Sequence, residues 1–367
     1  MSGAVRRSVV GVASELRRIK GGDTVFSAIQ PTGVFHLGNY LGAVRSWVDI
    51  AERAPKEARI FYAVADLHAL TVPKPADQLR KWREQAIASI VATGVDPERC
   101  VVYHQSSVPE HSELCWILST ITSMGYLNRM VQWKSKAQLA EESTLSGMTE
   151  GELGKLRLGL FSYPVLQAAD ILLHKAEFVP VGEDQSQHLE LTRQVVTSFN
   201  SQFNKRVFGS PKTLLAPYRK IGSLRDPSKK MSKSDPDQNG CIYVTDEPDV
   251  IRRKVRRAVT DSVQGPITYD PENRPGVANM LLAVTGLLQK EDPAALLTDQ
   301  FAHVKDHKTF KDAVSDVFVE QLRPVRDEYN KLISEPAYLD SISRSGTERA
   351  RDSAITTINE VKDVVGL

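Results

Sequence analysis

TVFSAIQPTGVFHLGNY, residues 24–40, sets the architecture. TVFSAIQ (24–30) is an apolar run that reads as a strand, and Pro31 and Gly33 mark a turn. Leu37, Tyr40, Leu41, Val44, Trp47, Val48 and Ala51 then recur at helical spacing. RIFYAVAD (59–66) is a second strand-like run. A helix is predicted after Pro75, with Leu79, Trp82, Ala86, Ile87 and Ile90 on one face and Gly94 as its C-cap. CVVYHQ (100–105) supplies a third strand, and a helical stretch with Leu114, Ile117, Leu118 and Ile121 facing inward follows it. This alternation is the grammar of an α/β, doubly wound, Rossmann-like parallel sheet, whose ligands bind beyond the carboxyl ends of the strands. It puts Gln30, Asp66 and Gln105 at the ligand end.

In the turn, His36, Gly38 and Asn39 stand where the next helix starts, so unpaired amides and the positive end of the helix would face a phosphate. Gly38 would leave room there for a nucleotide. About two hundred residues later, residues 230–236 read KMSKSDP. Two lysines three apart, with small hydroxyl residues around them, suit a polyphosphate that gains charge during reaction. Taken alone, a His before a helix more often caps it, and a K-x-x-K is more often a solvated loop. As a pair they gain meaning, because the two halves of a doubly wound sheet bring such loops together over one nucleotide.

Composition sets outer bounds. The chain has 367 residues, 41% hydrophobic and 25% charged, which suits an ordinary globular protein of about two domains. A net charge of +2 gives only mild attraction to polyanions, so a nucleic-acid partner would be met by local patches. Cys100, Cys115 and Cys241 form no C-x-x-C pair, which argues against a thiolate zinc site and a disulfide framework. No apolar run approaches the ~20 residues of a membrane span. Residues 1–22 carry Arg6, Arg7, Arg17, Arg18 and Lys20 against the single acid Glu15, a pattern similar to an organellar presequence.

YPVLQAAD (163–170) and VPVGEDQSQH (179–188) bear on the second substrate. QAADILL reads as the start of a helix, with Asp170 at its beginning or in its first turns, and FVPVG (178–182) as the next strand. A buried carboxylate is costly unless something donates to it. An indole N–H donates and cannot accept, so one Asp on a pocket floor would select tryptophan over phenylalanine. The alternative for Asp170 is a carboxylate satisfied by amides at the helix N-terminus.

FSAIQPTG, HLGNY, YPVLQAADILL, VPVGEDQ and KMSKSDP, in this order and at these separations, resemble the class I tryptophanyl-tRNA synthetases of bacterial and organellar type, over nearly everything after residue 23. The resemblance implies tryptophan–tRNA ligase activity, with L-tryptophan, ATP and tRNA(Trp) as substrates, Mg2+ carried by the ATP, no protein-held metal and a homodimer. It implies that Gln30, Pro31, Thr32, His36, Gly38 and Asn39 line the ATP site. Gly182, Glu183 and Asp184 would meet the adenosine side, with Ile221 at the adenine. Lys230, Met231, Ser232, Lys233 and Ser234 would hold the phosphates, helped by Lys136. Catalysis would fall to Lys230, Lys233, Lys136 and His36. Tryptophan would lie among Phe26, His68, Tyr163, Gln167, Asp170, Val179, Val181 and Gln185. Two departures stand out: HLGN replaces HIGH, and Gln167 stands where bacterial members carry Met.

The resemblance divides the chain into a basic extension (1–22), a catalytic domain (23–240) and a helical anticodon-binding domain (241–367). Residues 247–262 and the segments 278–288, 311–329 and 350–365 have helical periodicity. Arg252, Arg253, Lys254, Arg256 and Arg257 are either a tRNA phosphate patch or a solvated basic face. Residues 137–158 read as a polar surface loop. The mitochondrial matrix is the expected location, or the cytoplasm if the chain is bacterial. Rival readings are a tyrosyl-tRNA synthetase, a small nucleotidyltransferase and a synthetase-derived RNA-binding protein without catalysis.

Overall fold

The computed structural model describes residues 16–367 apart from 138, 141, 142, 183, 184, 216–220, 234 and 264. Residues 1–15 of the basic extension, Glu183, Asp184 and Ser234 therefore lie outside the described residues. Five parallel strands form one sheet in the order β3-β2-β1-β4-β5. They are β1 (Thr24–Ile29), β2 (Arg59–Val64), β3 (Val101–His104), β4 (Phe178–Val181) and β5 (Lys212–Leu215). The chain winds outward from β1 to one edge and returns to β1's other side for β4, so the order reverses at the β1/β4 seam. Ligands bind at such a switch point.

Register explains why these strands are apolar throughout rather than alternating. Val25 pairs with Ile60 and with Phe178, and Tyr62 with Val102, on one face. Phe26 pairs with Phe61, which pairs with Val101, on the other. Both faces are covered. Over the first lie α1 (Arg45–Arg53) and α2 (Ala76–Ala92), and over the second α3 (Glu110–Ser119), α4 (Leu158–Leu173) and α5 (Ser186–Gln202). Between the first turn and α1 the helix starts at Leu37–Asn39 and widens to a π turn over Tyr40–Val44. Such π turns gather at functional sites.

After residue 240 the described residues form no strand. They build α6 (Pro248–Arg256), α7 (Pro275–Leu287), α8 (His307–Ser334) and α9 (Pro336–Val365). Val277, Leu281, Phe310, Val314 and Phe318 of these helices belong to the same apolar cluster as Val25 and Ile60. α9 crosses from one face to the other. Its Leu339 and Ile342 join the first cluster, and Ala350, Ala354 and Ile358 the second. The crossing runs over edge strand β3, so closely that a Cβ on Gly346 would lie 1.9 Å from the Val102 carbonyl oxygen. An edge that would otherwise invite pairing is covered.

Two expectations need correction. Residues 137–158 are not a loop throughout: Glu150–Lys155 is a helix with a Thr149/Glu152 capping box, and Leu139, Leu145, Met148 and Leu156 pack on the second cluster. Asp170 does not begin a helix. It stands in the last turn of α4, which starts at Leu158 and carries Pro164 inside it. No helix among the described residues is long and apolar enough to cross a membrane.

Candidate active site

At the carboxyl end of the β1/β4 seam is a cavity of about 330 Å³. Phe26 and Gln30 reach it from β1 and the turn after it; Val179, Val181 and Gly182 reach it from β4 and its end. His68 arrives from the short helix Asp66–Ala69, and Tyr163, Gln167 and Asp170 line one side of α4 at spacings of four and three. Gln185 enters from the N-cap of α5, and Lys136 from the helix Val131–Lys136. The structure thus brings together the eight residues expected to surround the amino acid. Lys136, expected at the phosphates, belongs to this cavity, its ammonium 4.1 Å above the centre of the Tyr163 ring.

Asp170 is buried at the cavity floor, and side chains rather than helix amides satisfy it. His68 Nε2 lies 2.8 Å from Oδ2, and Gln105 Nε2 donates to Oδ1 at 2.7 Å. His111 Nδ1 also stands 2.7 Å from Oδ1, off the axis of the ring N–H, a close polar contact rather than a well-aligned hydrogen bond. Burial pushes the carboxyl up, but His111 and His68 outweigh it and hold Asp170 well below the usual carboxylate range. It stays ionised. A carboxylate has about four lone-pair positions. Three are taken by the described residues, leaving one acceptor position on Oδ2.

The second part of the site is the turn after β1. His36 caps the helix start: its Nδ1 accepts from the Asn39 amide at 3.1 Å, and the Asn39 side chain accepts from the His36 amide at 3.3 Å. Two of the amides expected to be open are not: that of Leu37 donates to the Ile242 carbonyl at 2.8 Å and that of Asn39 to His36. Gly38 also has a local purpose, since a Cβ there would strike the His36 ring at 2.9 Å. Burial, then Lys233 and Lys230, lowers His36 to about 3. The ring is neutral, and with Nδ1 accepting, its proton sits on Nε2.

The KMSKSDP segment rests on that turn. The Met231 amide donates to the Ile221 carbonyl at 2.9 Å, and Met231 lies 3.5 Å from where a Gly38 Cβ would be. Lys233 is half-buried and donates to the Thr32 carbonyl and hydroxyl at 3.1 Å and to the Gly33 carbonyl at 3.0 Å. Burial lowers its ammonium to about 8. Lys230 is exposed beside it. HLGN and residues 230–233, far apart in sequence, form one rim beside the cavity, cationic through Lys230 and Lys233.

The sequence profile of the tRNA synthetases class I (W and Y) matches residues 21–323. The chain belongs to this family. The mitochondrial tryptophan–tRNA ligase of Saccharomyces cerevisiae is 49% identical to the synthetase over 347 residues, 94% of this chain and 90% of the yeast protein. The tryptophan–tRNA ligase of Rickettsia bellii is 40% identical over 344 residues, 94% and 98% of the two chains. Among solved structures, tryptophanyl-tRNA synthetase from Mycoplasma pneumoniae superposes with a TM-score of 0.80 at 31% identity, covering 94% of this chain and 98% of that one.

Some residues of the synthetase's site had no expected role. His188 lines the cavity, with Nδ1 2.9 Å from Gln185 Oε1 and Nε2 3.3 Å from the Tyr163 hydroxyl. Its place one helical turn after Gln185 was the available signal. Gln105 was expected only at the ligand end, yet it grips Asp170 while its Oε1 accepts from the Leu67 amide at 3.2 Å. Asp66, also expected there, is instead a bracket: it accepts from Ser106 and lies 2.7 Å from Arg83 Nε. The basic run of α6 separates into unlike members. Lys254 is buried, 2.6 Å from Asp246, and Arg252 and Arg256 lie 3.1 and 3.8 Å from Asp316 and Asp312 of α8. Arg253 and Arg257 are exposed.

Proposed function

We propose that this synthetase is a tryptophan–tRNA ligase. The tryptophan carboxylate attacks the α-phosphorus of ATP, giving tryptophanyl-adenylate and pyrophosphate, and the terminal ribose hydroxyl of tRNA(Trp) then takes the acyl group and releases AMP. The observation that carries this reading is the single remaining acceptor position on ionised, buried Asp170, which an indole N–H fills and a phenylalanine ring leaves bare. The names of the yeast and Rickettsia relatives support it. No side chain serves as a nucleophile. Phe26, Val179 and Val181 wall the ring; Tyr163, Gln167, Gln185 and Lys136 orient the ammonium and carboxylate. Gln30, Pro31, Thr32, Gly38, Asn39, Gly182 and Ile221 cradle ATP, His36 donates to it through Nε2, and Lys230 and Lys233 stabilise the departing pyrophosphate. Among the described residues no cluster of three or more His, Cys, Asp or Glu is arranged to hold a metal ion. The cationic rim suits phosphates that bring their own magnesium, held by phosphate oxygens. Amino-acid-dependent ATP–pyrophosphate exchange across a panel of amino acids tests the assignment: exchange with tryptophan far above that with any other natural amino acid is expected, and comparable exchange with tyrosine, or none with tryptophan, overturns it.

Residues 241–367 read the tRNA anticodon in this proposal, with Arg253 of α6 and Arg257 just past its end as the cations that meet phosphates. Removing both charges is expected to lower the slope of tRNA affinity against salt by about two, and an unchanged slope counts against contact. Trp116, Met124 and Leu158 are 74%, 58% and 77% exposed on neighbouring helices of the second face. They supply the core of a homodimer contact, and Trp116→Asp is expected to give monomers in sedimentation. We place the enzyme in the mitochondrial matrix, in keeping with the yeast relative. Recovery in the cytosolic fraction of a eukaryotic source would refute that.

A further inference from the structure

Behind Asp170 the polar contacts continue, away from the cavity and through the second face of the sheet. Tyr103 of β3 is fully buried, and its hydroxyl lies 2.9 Å from His111 Nε2 and 2.9 Å from His174 Nε2. His174, just past the end of α4, presents Nδ1 at 3.3 Å to the Ser353 hydroxyl of α9. The result is a line of five groups from three helices and one strand, with α4 and its C-cap supplying two of them: Asp170, His111, Tyr103, His174 and Ser353. Its members are packed among aromatic rings, with the His174 ring stacked 4.3 Å from that of Phe61.

The protons along this line are constrained. Burial raises the Tyr103 hydroxyl well above its ordinary value, so it keeps its proton. Burial, and then His111, keeps His174 neutral. With His111 neutral and its proton on Nδ1 facing Asp170, every other proton is fixed. Tyr103 donates to His111 Nε2, His174 donates to Tyr103 through Nε2, and Ser353 donates to His174 Nδ1. If His111 is charged, each of these three bonds reverses. In both arrangements Nδ1 of His111 carries a proton on the Asp170 side, 2.7 Å from Oδ1 and off the ring N–H axis, while the donors and acceptors from His111 Nε2 to Ser353 are all paired.

We infer that His111, Tyr103, His174 and Ser353 are positioning residues for amino-acid selection, a hydrogen-bonded line that holds Asp170 with one acceptor position turned to the indole and anchors that setting in α9. This rests on the reading of Asp170 as the indole acceptor. The line touches no substrate; it acts through the donor on Oδ1. It also makes α9 part of the amino-acid site from its far side, where Lys175 and Glu360 form an ion pair next to His174.

The test compares tryptophan with β-(benzothiophen-3-yl)alanine, which keeps the bicyclic shape and lacks the N–H, in ATP–pyrophosphate exchange. The wild-type enzyme is expected to prefer tryptophan in kcat/KM by about ten- to hundredfold, the range for a hydrogen bond to a charged group. Tyr103→Phe removes one oxygen and leaves the two Nε2 atoms without their shared partner. The preference is expected to fall about tenfold, through a higher KM for tryptophan with kcat within about threefold and the analogue unaffected. Ser353→Ala, at the part-exposed end of the line, is expected to lower it about threefold, and decides the matter if Tyr103→Phe fails to fold. An unchanged preference, or equal losses on both substrates, overturns the positioning role. A wild-type enzyme that does not prefer tryptophan over the analogue removes the reading of Asp170, and this inference with it.

Discussion

Replacing Asp170 with Asn changes two atoms' worth of chemistry at the point where the fold concentrates donors. If the amide oxygen takes the place of Oδ1, it keeps Gln105 and His111 at 2.7 Å, and its NH2 group faces His68 Nε2 and the open position. Donor then meets donor where the indole N–H should bind. If the amide turns over, NH2 confronts Gln105 and His111 instead, and Gln105 can respond only by giving up its bond from the Leu67 amide. Either orientation loses a hydrogen bond to a charged acceptor, worth about 1.5–3 kcal/mol, and leaves a buried donor unmet at about 1–3 kcal/mol more. Taking the lower ends, about 2.5–3 kcal/mol, kcat/KM for tryptophan in pyrophosphate exchange is expected to drop about a hundredfold. Phenylalanine makes no bond to this position, so its slow exchange should stay level or rise once the buried charge is gone. That internal control separates lost recognition from a damaged fold. A tryptophan loss below about fivefold, or a parallel loss on phenylalanine, would refute the lone-pair argument.

Lys233, lowered to about 8, carries its charge at neutral pH and loses it on the alkaline side, so kcat/KM for ATP is expected to fall as pH rises through about 8; Lys233→Arg, whose guanidinium stays charged, should lose that limb while retaining part of the neutral rate, and an alkaline limb unchanged in the variant would reassign it. His36, at about 3, titrates too low to shape the profile, and no acid limb between about pH 5 and 7 should vanish in His36→Asn. Gly346→Ala sets two effects against each other: helix propensity favours Ala by about 1 kcal/mol, while its Cβ would sit 1.9 Å from a backbone oxygen and force α9 off β3 at about 1–3 kcal/mol or more. Packing is expected to win, lowering the melting temperature by a few degrees in calorimetry; a rise would mean that α9 shifts freely.

The sheet and both nucleotide motifs were legible because each is local. A strand, a Pro-Gly turn and a capped helix follow one another within residues 24–40, and apolar runs buried on both faces announce themselves whatever lies on top. The pairing of HLGN with KMSKS was legible for a different reason, a topology that leaves the two loops one place to meet. The orientation of Asp170 was not. QAADILL reads as a helix start, but the helix begins nine residues before Gln167, at Leu158, and runs through Pro164, a residue that ordinarily marks a helix's first turn. Nor could the sequence reveal what holds Asp170. Gln105, His111 and His68 come from three separated segments, and a lone histidine on an apolar face carries no sign of its partner. The reach of α9 was hidden as well. Helical periodicity gives a helix its apolar stripe, but α9 has two, one for each face of the sheet, and only the Gly346 crossing explains why the stripe changes side.

The two halves of the site use one principle with opposite signs. At the rim, an imidazole is driven neutral first by its burial and then by two ammonium groups, to whose charge its own would add. At the floor, a more deeply buried carboxylate is kept ionised, because every group turned toward it is a donor. Burial alone would have neutralised both. The linkage follows from the floor: the Asp170 carboxyl is lower in the folded protein than in the unfolded chain, so its contribution to stability is present above the unfolded value near 3.8 and is lost as pH falls through the folded one. Between those limits and the alkaline titration of Lys233, neither His36 nor Asp170 changes charge. Over that interval the rim stays cationic toward phosphate and the floor anionic toward an N–H donor, and an amino acid with an apolar body, one donor at its far end and a carboxylate at its near end fits between them in only one direction.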